Sequence, residues 1–245
     1  MKIVAIVQAR MGSSRLPGKA LLDIRGRTMP ARVVRRAGRS ALIDELVVAT
    51  TEEKPDDAIV SECNSRGISS FRGSEDDVPD RYYQAAMAFS ADCIVRITSD
   101  CPLIDPEIID HVVQAFLDNG PDYASNTIES TYPRGLDAEV FTFDALECAW
   151  RKAFRDFERV HVTPYIYQHP EEFRKLSVTG TENWTHCRWT VDPREDLALI
   201  LAIYEKIDTD VPLLMGRCAG TLQERAKLGR DKPSHTSEVF GGMLR

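Results

Sequence analysis

The chain has 245 residues, 43% of them hydrophobic, and a formal net charge of −7 at pH 7. This length is enough to bury a substantial core in one large domain or two small ones, and the negative charge argues against a general nucleic-acid binder. No apolar stretch approaches the roughly 18 to 20 residues of a transmembrane helix and no signal peptide precedes the first predicted strand, so we expect a soluble, cytoplasmic protein that binds no membrane.

The chain opens with an apolar run, Ile3 to Val7, that predicts a buried strand, and the loop Gln8 to Leu21 follows it. Three cations of this loop, Arg10, Arg15 and Lys19, stand among small residues. Backbone N–H groups of small residues can approach a ligand closely, and an open α/β sheet holds a polyphosphate at the carboxyl end of its first strand. The loop therefore predicts a phosphate-binding site, with an ordinary basic surface loop as the alternative.

Two common phosphate loops do not match this stretch. A P-loop has four residues between its glycine and Gly-Lys-Ser/Thr, whereas five residues lie between Gly12 and Gly18 here. Ala20 follows Lys19, so no hydroxyl is available for a metal ion. The dinucleotide fingerprint G-x-G-x-x-G is absent as well.

The segment from Arg10 to Arg39 contains nine cations and a single acid, Asp23. A local positive field on an acidic protein suits a small polyanion better than a duplex. The first predicted helix, Pro30 to Ala41, carries several of these cations, which we interpret as its solvated face. These residues are Arg32, Arg35, Arg36 and Arg39.

Strands and helices then alternate regularly as far as residue 125. The predicted strands are Leu46 to Thr50, Ile68 to Phe71, Cys93 to Thr98 and Asp122 to Ser125. The predicted helices are Pro55 to Arg66, Arg81 to about Ser90, and a third that ends near Asn119. This order with short connections predicts an α/β fold with a mostly parallel, Rossmann-like sheet and helices on both faces. Ligands of such sheets bind beyond the carboxyl ends of the strands.

The alternation stops between about Asn126 and Thr185, where an inserted α+β segment is predicted. Its predicted elements are strands Glu139 to Phe143 and Lys175 to Thr179 and helices Asp144 to Phe154 and Val160 to Gln168. A strand at Cys187 to Val191 and a helix from Pro193 to about Ile207 follow. Residues 216–245 are polar and Gly-rich and are expected to form a loosely docked tail. We thus predict one domain over residues 1–245.

Two aspartates at predicted element ends are candidate metal ligands. Asp100 follows the strand Cys93 to Thr98 in S-D-C-P, where an open sheet exposes its active-site residues; the alternative is a turn aspartate before proline. Asp192 precedes Pro193 and Glu195, a pattern that also predicts a helix N-cap with a capping box. Mg²⁺ is usually held by one or two carboxylates plus substrate oxygens and waters.

Several motifs together resemble the cytidylyltransferases that activate acidic sugars, of the acylneuraminate and deoxy-octulosonate type. In chain order they are Q-A-R-M-G-S-S-R-L-P-G-K, G-S-E-D-D-V-P-D-R-Y-Y, R-I-T-S-D-C-P-L-I-D, Y-P-R-G-L-D-A-E-V-F, H-V-T-P-Y-I and T-V-D-P-R-E-D-L. The chain is most similar to the spore-coat-polysaccharide branch, over roughly residues 2 to 207. The resemblance implies the nucleotide-diphospho-sugar transferase fold and a Mg²⁺-dependent reaction in which CTP and an anionic acceptor give a CMP conjugate and pyrophosphate.

The resemblance also assigns residues to the nucleotide and the metal. It implies that the first loop binds the phosphates of CTP and that G-S-E-D-D-V-P-D-R lies near the base or ribose. The implied nucleotide-binding residues are Ala9, Arg10, Gly12, Ser13, Arg15, Lys19, Ser74, Asp80 and Arg81. Asp100 and Asp192 fall on the two magnesium ligands of the family. Together with Arg10 and Lys19 they are the implied catalytic residues.

The motifs specific to the spore-coat branch are expected to line the acceptor pocket. Arg134 or His161 would offer positive charge or hydrogen bonds to an anionic acceptor, and Glu139 would bind hydroxyl groups. Tyr165 is the fourth implied acceptor residue, and the alternative for each of the four is a structural role. Family members dimerise through the region that corresponds to 126–185, so we expect a homodimer with acceptor pockets near its interface.

Two other functions stay open at this point. A metal-dependent glycosyltransferase of the GT-A type shares a similar nucleotide-binding sheet, but such enzymes place a D-x-D motif at a strand end, whereas S-D-C-P has one acid. A non-catalytic nucleotide-binding protein would have no need to keep the cations of the first loop together with both aspartates. The cytidylyltransferase is the favoured hypothesis, with CTP and a small anionic acceptor as partners.

Overall fold

The computed structural model describes residues 1–13 and 15–206, which form one seven-stranded sheet. The strands are β1 Ile3–Gln8, β2 Glu45–Thr51, β3 Ser69–Gly73, β4 Cys93–Thr98, β5 Tyr123–Ser125, β6 Glu139–Thr142 and β7 Lys175–Ser177. Their order in the sheet is β3-β2-β1-β4-β6-β5-β7. The four strands from β3 to β4 are parallel, β6 runs antiparallel to β4 and β5, and β7 is parallel to β5. The predicted α/β class and mostly parallel sheet are confirmed.

Helices cover both faces of the sheet. They are α1 Met29–Ala37, α2 Asp57–Ser65, α3 Val78–Ala88, α4 Pro106–Asn119, α5 Phe143–Lys152, α6 Asp156–Val160, α7 Pro164–Gln168 and α8 Arg194–Tyr204, with short 3₁₀ helices at Lys19–Leu21 and Lys54–Asp56. Successive strand residues point to opposite faces, so Ile3, Ala5 and Val7 pack with α1, α2 and α4. Val4 and Ile6 pack with α3, α5 and α7. Burial on both faces explains why the strands read as continuous apolar runs.

Two helices differ from the predictions for an identifiable local reason, in one case a hydrogen bond and in the other a proline. Helix α3 begins three residues earlier than Arg81, since the Asp77 side chain accepts a hydrogen bond from the Asp80 N–H at 3.0 Å and caps it. The single helix predicted at Val160 to Gln168 is two short helices, with Pro164 starting the second.

The prediction of a strand at Cys187 to Val191 is wrong, and this difference affects the site. The segment forms only an isolated bridge, between Arg134 and Arg188. Its backbone groups bond to loops rather than to a neighbouring strand: the Trp189 N–H donates to the Arg134 carbonyl at 2.6 Å and the Val191 N–H donates to the Asp100 carbonyl at 2.8 Å. An alternating pattern does not reveal whether its partner is a strand or a loop.

The interpretation of the α1 arginines as a solvated face is wrong for two of them. Arg32 and Arg36 are each only 3% exposed, whereas Arg35 and Arg39 are exposed. Arg32 donates to the Ile24 carbonyl, with Nε at 2.8 Å, and its guanidinium lies 4.6 Å from the centre of the Tyr204 ring in α8.

Arg36 connects α1 to the loop that follows β4. Its Nε donates to the Ile104 carbonyl at 2.7 Å, and its Nη2 lies 4.0 Å from Asp105 Oδ2. Burial lowers the pKa of Arg36. Asp105 also caps α4 by accepting from the Glu107 N–H at 3.0 Å. Arg36 thus ties α1 to the loop that carries Asp100.

Among the helices that the structure describes, none is long and apolar enough to span a membrane. The polar tail predicted at residues 216–245 lies outside the described residues.

The inserted segment at 126–185 supplies β6 and β7 to the same sheet as the parallel strands β1 to β4. The segment predicted to form the acceptor pocket therefore belongs to the half of this sheet that contains the antiparallel strand β6.

Candidate active site

A cleft of about 250 Å³ opens at the carboxyl ends of β1 and β4. Most of the residues predicted for the nucleotide, the metal and catalysis line it. These residues are Ala9, Arg10, Gly12, Ser13, Arg15, Lys19, Arg81, Asp100 and Asp192. The sheet topology explains this, because β1 and β4 are adjacent and parallel and the loops that leave them begin side by side.

The first loop is attached to the end of β2 through Asp56, a residue that sequence reasoning missed. Asp56 is 2% exposed, and its Oδ1 accepts from the Met11 N–H at 2.7 Å. Its Oδ2 accepts from the Thr50 hydroxyl at 3.0 Å and from the Thr51 N–H at 3.1 Å. A buried carboxylate that receives several donors is held in place firmly, so the loop is anchored independently of any ligand.

Lys19 brings the two predicted metal ligands together. Its Nζ lies 3.2 Å from Asp100 Oδ2 and 3.2 Å from Asp192 Oδ1, and it donates to the Val191 carbonyl at 3.0 Å. The side chain of Lys19 is 15% exposed, and those of Asp100 and Asp192 are 25% and 15% exposed. The ammonium therefore sits in a partly buried site where three oxygens converge.

Asp192 has two further cationic partners. Arg15 Nη2 lies 3.1 Å from its Oδ1, and Arg188 Nη2 lies 2.8 Å from its Oδ2. Burial of Asp192 opposes its ionisation, but hydrogen bonds from Arg188 and Lys19 outweigh this and lower the pKa of the carboxyl. Asp192 is thus a carboxylate whose charge is fully compensated within the protein.

The predicted helix-capping role of Asp192 is wrong. The N-cap position of α8 is Pro193, and no side chain caps this helix. Asp196 Oδ2 accepts from the Asp192 N–H at 3.0 Å and from Arg188 Nε at 3.2 Å. The Asp192 side chain instead lines the cleft.

The two aspartates and the Val191 carbonyl form a donor set that fits a hard divalent ion. Among residues 1–13 and 15–206, no three His, Cys, Asp or Glu side chains cluster as a complete metal site. Mg²⁺ does not require one, because it commonly binds one or two carboxylates together with substrate phosphates and waters. Convergence of three oxygens on one ammonium group shows that the position attracts a cation.

Two predicted nucleotide residues are not brought to the cleft. The Ser74 hydroxyl accepts from the Asp77 N–H at 3.0 Å, and Asp80 Oδ1 accepts from Trp150 Nε1 at 2.9 Å. Arg81 does line the cleft, is 2% exposed and donates to the Ser74 carbonyl at 2.6 Å. A Cβ on Gly73 would lie 2.9 Å from the Arg81 side chain, so glycine is needed there for Arg81 to reach its position.

A second cavity of about 730 Å³ adjoins the first, and the two share six residues. The shared residues are Gln8, Arg15, Thr98, Asp100, His161 and Asp192. Arg134, Glu139 and His161 line the second cavity as predicted for the acceptor pocket. Tyr165 does not: it is 6% exposed and packs in the core, and Tyr167 lies at the cavity wall in its place.

Glu139 was expected to bind hydroxyl groups of the acceptor, but its carboxylate is bonded to side chains of the protein. Its Oε1 accepts from the Tyr123 hydroxyl at 2.6 Å and from the Thr163 hydroxyl at 2.9 Å, and its Oε2 accepts from Arg96. Burial opposes ionisation of Glu139, but the Arg96 charge and hydrogen bonds from Tyr123 and Arg96 outweigh it and lower the pKa of the carboxyl. Glu139 thus fixes the position of the Arg96 side chain, which also lines the second cavity.

Asp137 is the acceptor-side carboxylate that sequence reasoning missed, although it lies in the quoted Y-P-R-G-L-D motif. Its side chain is 32% exposed, lines the second cavity and has Arg134 Nε at 3.4 Å from Oδ2. Burial raises the pKa of Asp137 against the opposing charge of Arg134, and the Glu139 and Asp100 charges raise it further.

Gly135 explains how the loop that carries Asp137 reaches the cleft. It has a φ of 107°, and a Cβ there would lie 2.5 Å from the Trp189 carbonyl carbon. Only glycine permits both this backbone conformation and this approach. The loop that carries Asp137 therefore packs directly on the chain segment that leads to Asp192.

Comparisons with known proteins agree with this geometry. A family model described as cytidylyltransferase matches residues 4–211. The spore coat polysaccharide biosynthesis protein SpsF of Bacillus subtilis is 36% identical over 211 residues, which are 83% of this chain and 87% of SpsF.

Two solved structures share the fold. A cytidylyltransferase from Leptospira borgpetersenii has a TM-score of 0.87 and 32% identity, over 96% of this chain and 99% of that one. The CMP:2-keto-3-deoxy-manno-octonic acid synthetase complexed with CTP has a TM-score of 0.64 and 21% identity, over 84% of this chain and 99% of that one. At this lower identity the second likeness concerns the fold.

Together with these relatives, the mostly parallel sheet, the cationic loop after β1 and the two aspartates at its edge are those of a nucleotidyltransferase. The match over residues 4–211 then identifies the kind: the chain belongs to the cytidylyltransferase family. The predicted resemblance to this family, near its spore-coat branch, is confirmed.

The Arg96–Glu139 pair gives a prediction about stability. Glu139→Gln leaves the Arg96 charge without its counter-ion, which we expect to lower the free energy of unfolding by about 3 to 5 kcal/mol at pH 7. A carboxyl whose pKa is lowered by folding stabilises above its ordinary pKa of 4.5, and the effect is lost as the pH falls further. Urea unfolding should show a difference from wild type that is constant between about pH 6 and 8 and shrinks below about pH 4.5.

Glu45→Gln is the matched control. Glu45 Oε2 lies 2.8 Å from Lys2 Nζ, but both side chains are about one-third exposed, and exposed pairs contribute at most about 1 kcal/mol. Equal losses in the two variants would contradict a structural role for the buried pair.

Proposed function

We propose that the protein transfers CMP from CTP to an anionic small-molecule acceptor, with Mg²⁺ as cofactor and pyrophosphate as the second product. One observation carries the proposal: the cleft with the cationic loop and the cavity with the acceptor residues meet at Asp100 and Asp192. In nucleotidyl transfer the α-phosphorus lies between nucleophile and leaving group, so the two substrates must meet at one point. A CTP-consuming reaction also fits the cytoplasmic location expected from the sequence.

The first loop would bind the triphosphate. Arg10 and Lys19 and the backbone N–H groups near Gly12 line the cleft, and such groups neutralise charge that develops on a leaving pyrophosphate. Arg10 is half exposed, with Nη1 3.3 Å from Glu75 Oε1, a weak surface pair that a phosphate can displace. CTP is the nucleotide of the related synthetase complex, which supports cytidine as the base.

Asp100 and Asp192 would hold Mg²⁺, which supplies charge neutralisation at the α-phosphate when bound. On the acceptor side, Asp137 would receive the proton of an attacking hydroxyl, a role supported by its position in the wall of the second cavity. The hydroxyl oxygen forms a bond to the α-phosphorus, the bond to the bridging oxygen of pyrophosphate breaks, and the proton passes to the Asp137 carboxylate. The raised pKa of Asp137 suits a group that takes a proton.

We also propose that the protein is a homodimer formed through residues 126–185. In the part of the chain that the structure describes, seven large hydrophobic side chains are exposed, and five of them belong to this segment. The five are Ile128, Phe154, Phe157, Val160 and Tyr167. Interface cores are enriched in aromatic residues, and two-fold dimers are the commonest oligomers.

Pyrophosphate release tests the reaction. A screen that crosses the four nucleoside triphosphates with carboxylate, phosphate and phosphonate acceptors should give Mg²⁺-dependent release with CTP and one acceptor class. Arg10→Ala removes a charge-assisted contact to the leaving group and should slow the rate by roughly 100- to 1000-fold.

Arg39→Ala, at an exposed arginine outside the cleft, is the control and should leave the rate unchanged. Equal release with all four nucleotides would contradict the cytidine preference. An unaffected Arg10→Ala enzyme would contradict the phosphate role of the first loop.

The proposed role of Asp137 depends on the acceptor nucleophile. Asp137→Asn should slow transfer to an acceptor that attacks through a hydroxyl by about 100-fold or more. It should have little effect on transfer to an acceptor that attacks through an already ionised phosphonate oxygen. Asp144→Asn, at an exposed position on α5, provides the charge-matched control, and equal slowing for both acceptor types would exclude proton transfer to Asp137.

Light scattering tests the dimer. At micromolar concentration we expect a mass near twice the 27.5 kDa of one chain. Phe154 is 78% exposed, and Phe154→Glu should shift the mass toward that of a monomer by placing a charge in the interface. Met87→Glu, at a residue 54% exposed but outside the segment, should not. A wild-type mass near 27.5 kDa with full activity would rule the dimer out.

A further inference from the structure

We propose that the Lys19 ammonium closes the metal site of the nucleotide-free enzyme, so that Asp100 and Asp192 take up a divalent cation only together with a nucleoside triphosphate. The proposal rests on the proposed function insofar as these aspartates are the metal ligands. It adds an order of binding, and it gives Lys19 a second role besides phosphate contact.

The position of Lys19 carries this inference. Its Nζ occupies the point on which Asp100 Oδ2, Asp192 Oδ1 and the Val191 carbonyl converge, at 3.2, 3.2 and 3.0 Å. A divalent ion bound to the same oxygens would meet this ammonium group at close range, and like charges repel strongly in a partly buried site. A metal ion must therefore displace Lys19 before it binds both carboxylates.

The two oxygens of Asp192 have separate partners. Oδ1 faces Lys19 and Arg15, which both belong to the phosphate-binding loop. Oδ2 faces Arg188, which also contacts Asp196 at 3.2 Å. The cations that would move to a triphosphate thus occupy one oxygen of Asp192, while a cation outside the loop holds the other.

A bound triphosphate draws the Lys19 ammonium away from Asp100 and Asp192. Lys19 lines the nucleotide cleft, and its flexible four-carbon stem allows the ammonium to exchange one anionic partner for another. When Lys19 and Arg15 pair with phosphate oxygens, Asp192 Oδ1 and Asp100 Oδ2 lose their counter-ions and become ligands for a divalent ion. Linkage then requires that nucleotide and metal strengthen each other's binding by the same factor.

Mn²⁺ binding to the nucleotide-free protein tests this without any turnover. In titrations followed by electron paramagnetic resonance, wild type should bind Mn²⁺ weakly at this site, whereas Lys19→Met should bind it about 5- to 150-fold more tightly, the usual range of coupling between sites. Adding Asp100→Asn to Lys19→Met should abolish the gain, because one of the two carboxylates is lost.

Lys54→Met is the control, since Lys54 is exposed and makes no contact with the cleft. Should Lys19→Met fold poorly, Lys19→Gln removes the same charge, and a rise in melting temperature with MnCl₂ that exceeds the wild-type rise is the second readout. Mn²⁺ affinity equal to that of wild type in the folded Lys19 variant overturns the proposal, even if pyrophosphate release is found. Tighter binding in that variant supports it, even if the acceptor screen gives no product.

Discussion

The site depends on how the segment Cys187 to Val191 is attached. Its backbone bonds to the Arg134 loop on one side, through the Arg134 and Trp189 N–H groups, and to the Asp100 carbonyl on the other. The Thr190 hydroxyl donates to the same carbonyl at 3.1 Å. These few hydrogen bonds place the Arg134 loop, the loop after β4 and Asp192 next to one another. Because buried backbone groups must find partners, the segment that satisfies them also assembles the cleft.

Buried charges serve the same purpose at longer range. Arg96 on β4 and Glu139 on β6 face each other across these two antiparallel strands. The pairing of β4 with β6, which joins the parallel strands to the rest of the sheet, thus places an ion pair at the second cavity. Arg36 reaches from α1 to the loop of Asp105. Breaking a buried pair is costly, which makes these contacts suitable for fixing loops that carry polar, otherwise poorly packed residues.

The cations that line the cleft form ion pairs with neighbouring carboxylates. Lys19 and Arg15 compensate Asp192, and Arg10 contacts Glu75. Under our proposal, a triphosphate would offer these cations new partners and would leave the carboxylates for a metal ion. These ion pairs compensate the charge of carboxylates that are partly buried.

The sequence by itself determined the parallel half of the sheet, the family, and the cationic loop and two aspartates that line the cleft, because these depend on periodicity and on motifs within a few residues. Only the tertiary structure decided that Asp192 faces the cleft instead of capping α8, and that Arg32 and Arg36 are buried. It also showed that Ser74 and Asp80 bond to Asp77 and Trp150 and do not line the cleft, and that Asp137 lines the second cavity. Each of these outcomes depends on a partner distant in sequence, and a local pattern that is compatible with several partners does not specify which one the fold supplies.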